Sequence, residues 1–180
     1  MPSMNMVLPH AIAHVALAAE LKKQPHDLSE RFPHGALVLL RTGGQRTTTP
    51  LSETVHGNDP DDDPVTASAN TWFLVAPLVK SDRNVFPHLT VGRTRNHDVV
   101  IIDDTVSKFH ASLRIEQGRL TVLDEGSRNG TTVDAKPVPA RGAGSPVVVP
   151  SHATICFGTV ALVHLSSKDL RAFLDEFTKR

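Results

Sequence analysis

The stretch ASLRIEQGRLTVLD, residues 111–124, sets the fold class. Ala111, Leu113 and Ile115 fall on one side of an extended chain, Ser112 and Arg114 on the other. After Glu116-Gln117-Gly118-Arg119, Leu120-Thr121-Val122 alternates again. A period of two puts successive side chains on opposite faces of a strand. Two such runs joined by a glycine-containing turn predict a β-hairpin.

The same pattern extends outward. Upstream, Trp72 to Val79 (WFLVAPLV) reads as a strand, Leu89-Thr90-Val91 as a second running into Gly92-Arg93, and Val99 to Ile102 as a short buried one. Downstream, Thr131 to Val133, Val147 to Val149, Ala153 to Cys156 and Val160 to Leu165 continue the series. Many short strands with frequent turn residues predict an all-β sandwich or barrel rather than a parallel α/β sheet. The chain closes in a helix. Ser166 or Ser167 is a good N-cap, and Leu170, Phe173, Leu174 and Phe177 form one apolar stripe suited to packing on the sandwich.

Residues 1–41 differ from this and read as a short helical N-terminal extension. Ala11 to Lys23 is alanine-rich, with Ile12, Val15, Leu17 and Leu21 at near-helical spacing, which predicts a helix ending before Pro25. Asp27 is placed to cap a further turn stopping at Pro33, and Gly35 to Leu40 (GALVLL) reads as a brief buried strand or an apolar hook. Residues 42–70 carry few large apolar side chains and many Gly, Pro, Thr and Asp. Such a segment buries too little surface to offset its ordering entropy, and it reads as a flexible linker. The sandwich and its closing helix then occupy 71–180.

The chain has 180 residues, 39% of them hydrophobic and 21% charged, with a formal net charge of +0. That is enough chain for a core that needs neither metal nor disulfide. The balanced charge argues against a general nucleic-acid binder, so an anion site must be local. A single cysteine, Cys156, excludes a disulfide scaffold and fits a reducing compartment. No apolar run reaches the length of a membrane span, and no basic region precedes the N-terminal apolar stretch, so the expectation is a cytoplasmic protein.

Three short motifs lie at the strand ends, where a scaffold presents loops to a ligand. They are Gly92-Arg93, Ser107-Lys108-Phe109-His110 and Ser127-Arg128-Asn129-Gly130-Thr131. Arg93 offers a planar fork of donors suited to phosphate. Ser107 supplies a hydroxyl, Lys108 and Arg128 positive charge, and Asn129 an amide that both donates and accepts. No nucleophile–base pair and no convergent carboxylate dyad accompanies them. The inventory holds an anion without transforming it, so no enzyme activity is expected.

The order G-R, then S-x-x-H, then S-x-N-G-T, between strands, resembles the forkhead-associated (FHA) domain over about residues 71 to 165. The whole chain resembles bacterial stand-alone FHA proteins. The resemblance implies the SMAD/FHA-type β-sandwich of eleven strands in two sheets, whose apical loops bind phosphothreonine peptides. By motif, Arg93 and Ser107 would hold the phosphate, with Lys108 and Arg128 adding affinity, and Asn129 would hold the peptide backbone. Gly92 would let the chain turn close to the pocket, His110 would hold Ser107 in place, and Gly130 would allow the turn after Asn129. Thr105 stands where related domains contact the third residue after the phosphothreonine, and Asp103 and Asp104 would disfavour acidic residues there. The implied function is a phosphothreonine-binding adaptor in Ser/Thr kinase signalling. Its partner would be a phosphorylated protein or peptide, a kinase or its substrate, and it would need no cofactor, metal, nucleic acid or membrane.

The alternative is a phosphate-independent interaction scaffold or oligomerisation module on the same sandwich. Among the remaining features, His10 and His14 have the spacing of a helical metal pair but no third ligand joins them, Asp61-Asp62-Asp63 lacks the pattern of a calcium loop, and Cys156 reads as an inert core thiol. Thr47, Thr48, Thr49 and Thr54 lie in the linker. Phosphorylated, one of them would be tethered close enough to dock into the chain's own pocket.

Overall fold

The computed structural model describes residues 12–13, 28–42 and 71–178. Two sheets face each other. One has the order β1-β3-β2-β12-β11-β8-β9, all antiparallel, built from β1 (Ile12–Ala13), β2 (Ala36–Thr42), β3 (Thr71–Pro77), β8 (Thr131–Val133), β9 (Lys136–Pro137), β11 (Thr154–Phe157) and β12 (Val160–Leu165). The other has the order β10-β7-β6-β4-β5, built from β4 (Leu89–Gly92), β5 (Val99–Val100), β6 (Ala111–Glu116), β7 (Arg119–Asp124) and β10 (Val147–Val149), with only β4 and β5 parallel. Strands β2 to β12 are the eleven of the sandwich, and the two-residue β1 adds to the edge at β3.

The hairpin expected over 111–124 is β6–β7, with Glu116 opposite Arg119. Its two-residue loop has both Gln117 (φ 51°) and Gly118 (φ 74°) left-handed, the geometry that matches the twist of the flanking strands. Alternation is visible as burial: Leu113, Leu120 and Val122 enter the core while Arg114 and Arg119 stay exposed. The core between the sheets is filled by Leu37, Leu39, Leu74, Leu78, Ile155, Phe157 and Leu162 from one side and Leu89, Val91, Leu113, Leu120 and Val122 from the other.

A second apolar layer lies on the far face of the seven-stranded sheet. Helix α2 (Ser167–Thr178) buries Leu170 and Leu174 there against Phe32, Ala36, Val38, Phe73, Val75 and Leu165. Phe173 meets Phe73 edge-on, with ring centroids 4.9 Å apart. Ser166 caps the helix: its Oγ accepts the Asp169 N–H at 3.2 Å and donates to the Asp169 carboxylate at 2.6 Å. The short helix α1 (Leu28–Arg31) sits nearby, and Ser167 Oγ donates to the Phe32 carbonyl at 2.7 Å.

Two expectations change here. Ile12 and Ala13 form a strand opposite Val75 and Leu74 instead of the first turn of a helix; the open edge of β3 supplies partners that outweigh a weak helical propensity. The sheet also takes in a strand from before residue 71. Ala36 to Leu40 belongs to β2, which runs between β3 and β12 with Ala36 opposite both Pro77 and Leu165. Leu37 and Leu39 face the sandwich core and Ala36 and Val38 face α2, which explains an unbroken apolar run. His10, His14 and the segment 43–70, with its threonines and acidic run, lie outside the described residues.

Candidate functional site

Three connections meet at one end of the five-stranded sheet: 93–98 after β4, 101–110 before β6 and 125–130 after β7. Ser107 is their common point. Its carbonyl accepts the Arg93 N–H at 2.9 Å, its Oγ accepts the Arg128 N–H at 3.0 Å, and its N–H donates to His110 Nδ1 at 3.0 Å. With the Arg128 amide donating to Ser107 Oγ, the hydroxyl proton remains available to an acceptor.

His110 is fully buried and serves as a rivet. Nδ1 accepts from Ser107, so the ring proton sits on Nε2, which donates to the Gly130 carbonyl at 3.1 Å. The ring stands edge-on to Phe157, centroids 5.7 Å apart. Burial lowers its pKa below the ordinary imidazole value, against the opposing pull of the Gly130 carbonyl and of Asp124. The ring is therefore neutral, as both hydrogen bonds require.

The turn carrying Arg128 and Asn129 hangs on Asp124, which is 3% exposed. Its carboxylate accepts from the N–H groups of Gly126 (2.9 Å) and Ser127 (2.8 Å) and from the hydroxyls of Ser127 (2.6 Å) and Thr131 (2.7 Å). Burial pushes this carboxyl's pKa up, but these bonds outweigh it and hold the pKa below the usual carboxylate range. Gly130 adopts φ +75°, the left-handed conformation that the end of the turn demands. Asn129 Nδ2 donates to the Thr105 carbonyl at 2.7 Å, leaving its other N–H and its oxygen for further bonds.

Thr105 reaches the opposite sheet. Its hydroxyl lies 3.0 Å from that of Thr159 and accepts the Thr159 N–H at 3.2 Å, at the β11–β12 turn. Gly92 is a matter of close approach: a Cβ there would lie 2.2 Å from the Lys108 carbonyl and 2.5 Å from the His97 ring. The side chains of Lys108 and Arg128 are exposed, and Arg93 is half-exposed with its guanidinium 3.5 Å from Asp104.

The structure thus gathers Gly92, Arg93, Thr105, Ser107, Lys108, His110, Arg128, Asn129 and Gly130 into one hydrogen-bonded cluster of loops. Sequence reading missed its supports. Thr94 Oγ1 donates to the Lys108 carbonyl at 3.1 Å, and the buried His97 lies 3.0 Å from the Thr90 hydroxyl. Exposed Arg95 adds a further cation to the same loop. The only available signal was the polar run Thr94-Arg95-Asn96-His97-Asp98 between two apolar strands, which reads equally well as a turn. Among the described residues no group of three or more His, Cys, Asp or Glu side chains is placed to hold a metal ion, and no helix is long and apolar enough to cross a membrane.

The family model for the FHA domain matches residues 89–158, a span that takes in all three motif loops. That span is an FHA domain. Two curated proteins are similar to part of the chain: the oxoglutarate dehydrogenase inhibitor of Corynebacterium efficiens, 45% identical over 51 residues (28% of this chain, 36% of the relative), and the glycogen accumulation regulator GarA of Mycolicibacterium smegmatis, 44% identical over 52 residues (29% and 33%). The match spans about a third of the length of each relative. Among solved structures, the kinase-interacting FHA domain of the kinase-associated protein phosphatase of Arabidopsis aligns with 73% of this chain and 93% of its own, at 19% identity and a TM-score of 0.41. The FHA span begins at β4, so β2 and β3 precede it and all of β12 and α2 follow it.

Proposed function

We propose that this chain is a non-catalytic adaptor that binds phosphothreonine peptides and acts in Ser/Thr kinase signalling. The observation that carries the reading is the convergence of three loops on Ser107, with Arg93 and Arg128 tied to it through their backbone N–H groups. Arg93, Ser107, Lys108 and Arg128 take the phosphate. Asn129 takes the peptide backbone beside it, and Thr105 the residues that follow. Support also comes from the matched family and from two relatives whose names describe regulators, one an inhibitor and one a regulator of accumulation.

The energetics suit a reversible reader. A phosphothreonine carries about −1.5 to −2 charges at neutral pH. A charge-assisted hydrogen bond contributes roughly 1.5–3 kcal/mol, so a few of them give micromolar affinity, about −8 kcal/mol. The ligand is a phosphorylated protein, a Ser/Thr kinase or its substrate, met in the cytoplasm.

The test is titration of a degenerate phosphothreonine peptide pool into the wild-type chain and into Arg93→Ala, beside the unphosphorylated pool. Binding that requires the phosphate and falls at least tenfold in the variant is expected. Equal binding of both pools would replace this reading with a phosphate-independent scaffold.

A further inference from the structure

A line of rings beside β4 runs outward from His97, one of the supports of the phosphate cluster. The His97 and Phe109 ring centroids are 5.2 Å apart, Phe109 and Phe86 5.4 Å, and Phe86 and His88 5.6 Å. The line passes through the recognition loop, where Phe109 stands between Lys108 and His110, and reaches a loop tip at Phe86. Val85 at that tip is 89% exposed and Phe86 38% exposed.

The tip is held from below by a buried carboxylate. Asp98, 6% exposed, accepts the Ser81 N–H at 2.6 Å, the Thr90 N–H at 2.7 Å and the Asn84 side-chain amide. Asn84 in turn donates to the His88 carbonyl at 2.8 Å and accepts the Phe86 N–H at 2.8 Å. Burying a carboxylate is costly unless such donors surround it. Here they fix the loop that exposes Val85 and Phe86. Single exposed apolar side chains are ordinary, but a contiguous and braced apolar strip beside a binding loop marks a contact surface.

We propose that Val85, Phe86 and Phe109 form an apolar shelf for one side chain of the phosphorylated ligand, on the N-terminal side of its phosphothreonine. The proposal rests on the phosphothreonine reading above. The occupant is the same ligand because the shelf is continuous with the cluster: Phe109 is two residues from Ser107 and its ring contacts Phe86. Two residues of loop at roughly 3.3 Å each, followed by the 5.4 Å between the Phe109 and Phe86 rings, match about three to five residues of extended peptide. The side follows from the sheets. Thr105 reaches Thr159 on the seven-stranded sheet, whereas the shelf lies over β4 of the five-stranded one. With Thr105 taking the residues after the phosphothreonine, the shelf takes those before it.

The test is a phosphothreonine peptide pool with degenerate flanks, selected on the wild-type chain, on the double variant Val85→Ser/Phe86→Ser and on Arg93→Ala. The wild type is expected to enrich Leu, Ile, Val or Phe at one position three to five residues before the phosphothreonine. The double variant is expected to keep phosphate-dependent binding, lose that enrichment and bind a selected peptide about 5- to 20-fold more weakly, the effect of partly burying one aliphatic side chain. Val85 is open to solvent and Phe86 packs only against Phe109 and His88 in the ring contacts described, so the variant should stay folded, with a small drop in melting temperature and unchanged sedimentation. Three results would overturn the shelf alone: phosphate-dependent binding with no apolar preference upstream, a preference that survives in the double variant, or a change of oligomeric state in that variant, which would make the strip a self-association face. Absence of phosphate-dependent binding in the wild type would overturn the phosphothreonine reading and the shelf with it.

Discussion

The Arg93 guanidinium lies 3.5 Å from the carboxylate of Asp104, a side chain wholly open to solvent. The group proposed to meet the phosphate therefore already has an anionic neighbour. An exposed pair of this kind is weak and screened by salt, so it does not block the site. It does place a negative charge beside an incoming dianion. Asp104→Asn is expected to tighten phosphopeptide binding about two- to fivefold at low ionic strength, with the gain shrinking as salt is raised. Calorimetric titration at two salt concentrations checks this. An affinity unchanged at both would show that the carboxylate turns away when the ligand binds.

His110 makes the cluster sensitive to acid. Burial lowers the pKa of His110, and burial likewise dominates at His164, His97 and the less enclosed His88. The unfolded chain protonates its imidazoles near pH 6.5, while the folded chain keeps these neutral to lower pH. Acid then favours the unfolded chain, which binds more protons. The stability these rings contribute is present in full above about pH 6.5 and is lost as pH falls through their folded values. Denaturant unfolding between pH 7.5 and 5 should show this fall, and His110→Gln should flatten part of it. A second loss is expected lower, where Asp124 is protonated and its turn is released.

His110→Ala removes both the Ser107 and the Gly130 bonds and leaves a hole against Phe157. A cost of about 2–4 kcal/mol is expected, in the range of large-to-small and buried-polar losses. Phosphopeptide affinity should fall as well, since Ser107 loses its support. A melting curve and one titration separate the two effects.

Gly92→Ala tests close approach rather than backbone freedom. The new methyl would meet the Lys108 carbonyl and the His97 ring well inside contact distance. A loss of about 2 kcal/mol or more is expected, together with displaced Lys108 and Phe109. Gly118→Ala, in the open β6–β7 turn at φ +74° with nothing within 4 Å, should cost only about 1 kcal/mol. Equal losses in the two variants would show that the Gly92 contact relaxes.

Much of this was legible in the chain itself, for reasons that can be named. Strands β6 and β7 bury one face, so their alternation survives in the sequence, and the three motif loops sit at strand ends where composition shifts abruptly. β2 is buried on both faces, between the sandwich core and α2, so it carries no period by which to tell strand from hook. β9, the exposed pair Lys136-Pro137, has no pattern to read. Asp98 and Asp124 look like ordinary turn acids, and their importance lies in backbone and side-chain donors that the fold brings to them. Ser81 is seventeen positions from Asp98, and Thr131 seven from Asp124, distances at which a sequence gives no sign of a hydrogen bond.

The place of β2 has a practical consequence for the unit of folding. Its ladder to β3 runs from Ala36 opposite Pro77 to Thr42 opposite Thr71, and its other edge pairs with β12. A chain trimmed to the recognised span 89–158 would lose β2, β3 and all of β12 beyond the turn, leaving β11 with a bare edge and half the core uncovered. Conversely, a peptide bond broken anywhere between 43 and 70 would leave the N-terminal fragment clasped as an interior strand. The two pieces should copurify, and recombining them after separation should restore the melting transition of the intact chain.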